Sequence, residues 1–99
     1  MKKEGEALMK KCLKITLDAV GLDVIQEIQK KGGKEGVEGT IQPIVAEKQL
    51  KIIVCGDKDH VDKFVDILHK TVAQAGIAEI NIEPFVKIKD YRGAFRIIE

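Results

Sequence analysis

The sequence predicts an α+β sandwich in the order strand, helix, strand, strand, helix, strand, with a short extra strand at the end. Three observations carry this. Leu50, Ile52 and Val54 alternate with Lys51, Ile53 and Cys55, the period of two of a strand buried on at least one face. Directly after it, Val61, Phe64, Val65, Leu68 and Val72 recur at steps of three and four, with Lys58, Asp62, Lys63, Asp66 and Lys70 on the other side, so a helix follows with one apolar stripe. The same succession occurs earlier, where the alternating Leu13, Ile15 and Leu17 precede the helically spaced Leu22, Val24, Ile25 and Ile28.

Taken in order, the stretch from Leu8 gives a first strand ending near Leu17. The loop Asp18, Ala19, Val20, Gly21 leads into the first helix, with Gln26, Glu27, Gln29 and Lys30 outward and a stop at Gly32 and Gly33. Gly36 and Gly39 flank a turn-rich segment, and Val37, Thr40, Ile41, Ile44 and Val45 suggest a second strand. Pro43 interrupts its ladder, which predicts an outer strand. Only Ala46 to Gln49 separate it from the Leu50 strand, so the two form a hairpin. Asp57 is placed to cap the second helix with its carboxylate, Asp59 adds negative charge in the first turn, and Gly76 supplies a left-handed stop. Ile80 and Ile82 alternate with Glu79, Asn81 and Glu83 up to Pro84. Val86 and Ile88 continue an extended course, Arg92 and Gly93 turn, and Phe95 and Ile97 close the chain as a strand. This is the split βαβ, ferredoxin-like order: two helices covering one face of an antiparallel sheet.

The length of 99 residues predicts a single domain over 1–99, with 1–7 a flexible tail. Seventeen basic residues nearly cancel sixteen acidic ones, which removes the electrostatic reason to expect a nucleic-acid or anionic-membrane partner. Lys2, Lys3, Lys10, Lys11 and Lys14 crowd the start, but Glu4 and Glu6 interrupt them as in a solvated end. No apolar run approaches the roughly 18 residues of a membrane helix, and the first residues lack the apolar core of a secretion signal. A cytoplasmic location follows as the expectation. No cofactor is called for. Cys12 and Cys55 lie far apart in sequence and make no metal-type pair or disulfide scaffold; the implied antiparallel sheet makes them candidate neighbours, so a redox pair stands as the alternative to the favoured reading of two reduced small hydrophobes.

From Gly36 onward the chain resembles the acylphosphatases, which have this fold. The resemblance rests on Gly36-Val37-Glu38-Gly39 before the second strand, on Val54-Cys55-Gly56-Asp57-Lys58-Asp59-His60-Val61, on Ile67-Leu68-His69-Lys70, on an Ala-x-Ile-x-x-Ile strand from Ala75 to Ile80, and on Phe95-Arg96-Ile97. It implies hydrolysis of carboxyl-phosphate anhydrides in an anion cradle between first strand and first helix. There backbone N–H groups hold the phosphate, an arginine clamps it, and an asparagine on the second strand positions water. The corresponding loop here is Leu17, Asp18, Ala19, Val20, Gly21, Leu22, Asp23. Val20, Gly21 and Leu22 fit, whereas Asp18 replaces the family's glutamine, Asp23 stands where the arginine belongs, and Pro43 takes the asparagine's place.

The charge reversal has a size. At an effective dielectric near 20, a unit charge about 4 Å away is worth roughly 4 kcal/mol, so exchanging an arginine for an aspartate swings an anion's energy by up to about 8 kcal/mol. Half of that is still about a thousandfold in binding. The resemblance together with this departure predicts an acylphosphatase-like domain that has lost ordinary hydrolysis and serves as a binding or interaction module for a small anion or a protein. Its candidate binding residues are Asp18, Ala19, Val20, Gly21, Leu22 and Asp23, and Asp23 and Pro43 are degenerate catalytic positions. The alternatives are an acylphosphatase with a rearranged site and a small ACT- or PII-like ligand sensor, the PII form disfavoured by the short Ala46 to Gln49 connection.

Other groupings read as ordinary structure. His60 and His69 leave one helix on nearly opposite sides and cannot share a metal. Gly32, Gly33, Gly36 and Gly39 follow a helix instead of opening one, unlike a phosphate loop. Asp57, Asp59, Asp62 and Asp66 alternate in sign with lysines along a solvated face. Lys87, Lys89, Arg92 and Arg96 near Tyr91 form the densest basic patch, read as a surface strand. The inner strands hold no aromatic residue to stack bases.

Overall fold

The computed structural model describes residues 10–77, 79–86 and 93–98. Strand β1 spans Lys10–Asp18, helix α1 Leu22–Glu35, β2 Glu38–Ile44, β3 Gln49–Asp57, α2 Lys58–Gln74, β4 Ile80–Pro84 and β5 Phe95–Ile97. The tail 1–7, Ile88, and Lys87, Lys89, Tyr91 and Arg92 of the basic patch lie outside the described residues. No helix among the described residues is long and apolar enough to cross a membrane.

The strands form one sheet in the order β4-β1-β3-β2-β5. The alternating residues of β1 and β3 meet in register, Leu13 opposite Val54, Ile15 opposite Ile52 and Leu17 opposite Leu50. These six side chains are buried together with Ile25 and Ile28 of α1 and Val61, Phe64, Leu68 and Val72 of α2. Both helices therefore cover the same face, because each carries a single apolar stripe and only this side of the sheet can bury it. The fold is the predicted ferredoxin-like sandwich.

The sheet is mixed, not purely antiparallel. β1 pairs antiparallel with β3 and β4, and β2 antiparallel with β3, but β5 joins β2 in parallel, Gly39 opposite Phe95 and Ile41 opposite Ile97. β2 is accordingly not the outer strand that Pro43 suggested. Gly39 N–H donates to Ala94 O and Ile98 N–H to Ile41 O, both at 2.8 Å, so alternate residues of β2 turn their backbone groups toward β5. Pro43, two residues past Ile41, turns its nitrogen the same way, beyond the last residue that β5 pairs, and its missing N–H costs the β2–β3 ladder nothing.

Helix α1 does not stop at Gly32 and Gly33. It runs on to Glu35, and Gly36 at φ +80° ends it, its N–H shared between the Gly32 and Gly33 carbonyls. Gly32 is buried because the Phe95 ring lies against it. A Cβ built on Gly32 would sit 2.4 Å from that ring, which also packs edge-to-face on Phe64 at 5.4 Å. The glycine is thus a packing device inside the helix.

Helix α2 begins after Asp57, but the Asp57 carboxylate makes no cap. It accepts instead from Lys10 Nζ at 2.8 Å, the residue opposite it in the β1–β3 register. Lys10 accordingly holds the Asp57 carboxyl below the usual carboxylate range, first by this hydrogen bond and then by its charge. Ala75 and Ile77 belong to the turn that closes α2, Ile77 N–H donating to Val72 O, so the last antiparallel strand starts only at Ile80.

Cys12 and Cys55 are directly opposite in β1 and β3 and joined by a disulfide, in place of the two reduced thiols expected. Their Cα atoms are 4.2 Å apart. Cys12 O accepts from Phe85 N–H on the β4 side, so the two cysteines form a non-hydrogen-bonded pair, the arrangement in which facing side chains come closest.

Candidate functional site

The candidate loop is held between β1 and the β2–β3 turn. Ala19 N–H donates to Lys48 O at 3.0 Å, and Lys48 adopts a left-handed conformation (φ +54°) after the single 3-10 turn Val45–Glu47. Lys48 thus meets the loop through its carbonyl. Val20 is half-buried against the core and anchors the middle of the loop. Gly21 opens α1 in an extended conformation (φ −68°, ψ 161°), and its carbonyl accepts from Val24 and Ile25 N–H, each at 3.1 Å.

The backbone N–H groups of Val20, Gly21, Leu22 and Asp23 make no hydrogen bond among the described residues. They stand at the positive end of α1, where an anion is ordinarily welcome. Asp23 Oδ1 lies 2.8 Å from the point that a Cβ on Gly21 would occupy, so the carboxylate is folded back across the helix start. Leu22 beside it is 62% exposed, a large apolar side chain turned to solvent.

Pro43 completes the picture on the second strand. It pairs with Leu50, which pairs with Leu17, the residue that precedes the loop. The row Leu17, Leu50, Pro43 thus ends roughly 10 Å, two strand spacings, from β1. A proline ring there offers neither donor nor acceptor to a water. Arg96 is exposed on β5 opposite Thr40, a position of the sheet face turned away from the helices. Being the one arginine besides Arg92, it brings no guanidinium to the loop.

A cavity of about 550 Å³ opens beside the loop, lined by Thr16, Asp18, Gln49, His69, Glu79 and Asn81 together with Leu17 and Ile80. Of the loop, only Asp18 borders it. His69 is exposed in the second half of α2, and only the sheet order brings it near Asp18; the sequence carries no signal for that neighbourhood. His60 stands in the first turn of the same helix, so the two histidines are apart as expected. Among the described residues no group of three or more His, Cys, Asp or Glu side chains could hold a metal. Asp62 lies between Lys11 Nζ (2.7 Å) and Lys58 Nζ (3.0 Å), whose hydrogen bonds hold its carboxyl below the usual range.

No protein-family profile matches the chain, and no curated protein matches it in sequence. Solved structures do match. The chain is similar to an acylphosphatase from Coxiella burnetii at 21% identity and TM-score 0.75, covering 90% of this chain and 93% of that one. It is similar to the acylphosphatase from Bacillus subtilis at 14% identity and TM-score 0.73, over 92% of this chain and 100% of the other. Full-length HypF in its phosphate- and nucleotide-bound form matches at 17% identity and TM-score 0.71, with 92% of this chain lying on 12% of that much longer protein. The fold is therefore the acylphosphatase-like α+β sandwich.

Proposed function

We propose that this domain keeps the acylphosphatase shape without ordinary acyl phosphate hydrolysis, and acts as a binding module that uses the Asp18 to Asp23 loop. The carrying observation is the Asp23 carboxylate folded over Gly21. An anionic substrate approaching the four open N–H groups would meet a like charge, a repulsion that solvent screens at this exposed side chain. Pro43 itself offers no side-chain group to orient a water. Exposed Leu22 and Ala19, next to this charge, suit contact with a protein surface better than enclosure of a phosphate.

The test compares the native chain with the Asp23→Arg, Pro43→Asn double variant, using benzoyl phosphate as substrate. Hydrolysis no faster than the buffer rate in the native chain supports the reading. Turnover by the native chain at rates typical of enzymes, on the order of 1 per second or more, contradicts it.

The cavity beside Asp18 supports a second reading, a small-ligand sensor. Its lining includes Thr16, Gln49, Asn81 and His69, residues whose side chains can hydrogen-bond a polar ligand. A polar ligand held there would shift the amide resonances of Gln49 and Asn81 and leave those of Val20 to Asp23 unmoved; the reverse pattern would exclude this reading.

A further inference from the structure

We propose that the Cys12–Cys55 bond is a reversible thiol–disulfide exchange site, entered from solvent only through Cys12, and that its state sets the stability of the domain. The reaction partner is a small monothiol and its disulfide, of the glutathione class. The two strands set the cysteines directly opposite each other as a non-hydrogen-bonded pair, the arrangement in which facing side chains come closest, with Cα atoms 4.2 Å apart. Both side chains lie on the sheet face turned away from the helices, alternating with the core residues Leu13 and Val54. The bond therefore closes without disturbing the core.

The two sulfurs are not equivalent. Cys55 is 2% exposed, on a strand flanked by β1 and β2, whereas Cys12 is only half-buried. An incoming thiolate reaches the Cys12 sulfur. It forms a mixed disulfide there as the Cys12–Cys55 bond breaks, and Cys55 leaves with the electron pair and takes up a proton. A second monothiol attacks the mixed disulfide, releasing Cys12 as thiolate and the small disulfide. In sum, one protein disulfide and two thiols become two protein thiols and one small disulfide, and oxidation runs the same steps backward.

The bond joins residues 43 apart in sequence. The closed loop contains the whole of α1 and β2, so opening it restores a large amount of freedom to the unfolded chain. Reduction should accordingly lower the thermal midpoint by on the order of 15 °C.

The experiment uses the full chain with reduced and oxidised glutathione, followed by intact mass and thermal unfolding. Reduced native protein is expected to close its internal bond with no lasting adduct. Folded Cys55→Ala is expected to keep one glutathione on Cys12, and Cys12→Ala to take it up at least about tenfold more slowly, since Cys55 is covered. Equal or faster modification of Cys55 in the folded variant overturns the entry route. A thermal midpoint that is the same for oxidised and reduced native protein overturns the stability claim, and this comparison needs no variant.

Discussion

Asp23 bends back so that its Oδ1 stands 2.8 Å from where a side chain on Gly21 would begin. The carboxylate thus lies close to the start of α1, where the N–H groups of residues 20 to 23 make no hydrogen bond among the described residues. Asp23→Asn should remove the repulsion while keeping the shape. Phosphate, followed by amide shifts of residues 20 to 23, should bind the variant more tightly than the native chain. At the same time the loss of a negative charge at a helix start should cost about 0.3–1 kcal/mol in urea unfolding.

Pro43 is expected to be replaceable. Its nitrogen faces away from β3 past the end of β5, so Pro43→Asn breaks no ladder bond and should change unfolding free energy by less than about 1 kcal/mol. A larger loss in urea titration would mean that the ring itself packs against Leu50.

Gly32→Ala runs against helix propensity. Alanine favours helices over glycine by about 1 kcal/mol, yet a Cβ there would meet the Phe95 ring at 2.4 Å. Overpacking of this kind costs about 1–3 kcal/mol, so the variant should be less stable than the native chain, whereas Gly33→Ala, which meets nothing within 4 Å, should be neutral or stabilising. Thermal unfolding of the two variants side by side decides this.

Acid should weaken the fold through Asp57 and Asp62. Both carboxyls titrate lower in the folded chain than their ordinary 3.8, held there by Lys10 and by Lys11 and Lys58. Their contribution is therefore complete above the unfolded value and lost as pH falls from there through the folded values. Lys58 is raised above 10.5 by Asp62, so its share is complete below that pH and lost as pH rises through the folded value. These pairs are exposed, and salt should flatten the acid limb. Lys10→Ala and Lys11→Ala together should flatten it too; an unchanged pH profile of urea midpoints would exclude these pairs as its source.

The parts legible in the sequence were those with strong local periodicity. The Leu50 strand, the Val61 to Val72 stripe and the Leu13 to Leu17 alternation all lie where their spacing put them, since burial on one face enforces a local period. What escaped was set by residues distant in the chain. Gly32 looks like a stop until Phe95, 63 residues on, is seen against it; β2 looks like an edge until the three residues of β5 cover part of it. Asp57 sits at the cap position, but its partner Lys10 is contributed by β1. Near the loop, the cavity that Asp18 and His69 both line depends on how distant elements pack together and left no trace in local sequence.

The most direct measurement is titration of the native chain with inorganic phosphate, monitored at the backbone amides of Val20, Gly21, Leu22 and Asp23. The account predicts no saturable shift at these four, and its appearance in Asp23→Arg. Saturable shifts in the native chain at phosphate concentrations near 1 mM or below, an affinity of about 4 kcal/mol or better, would contradict it.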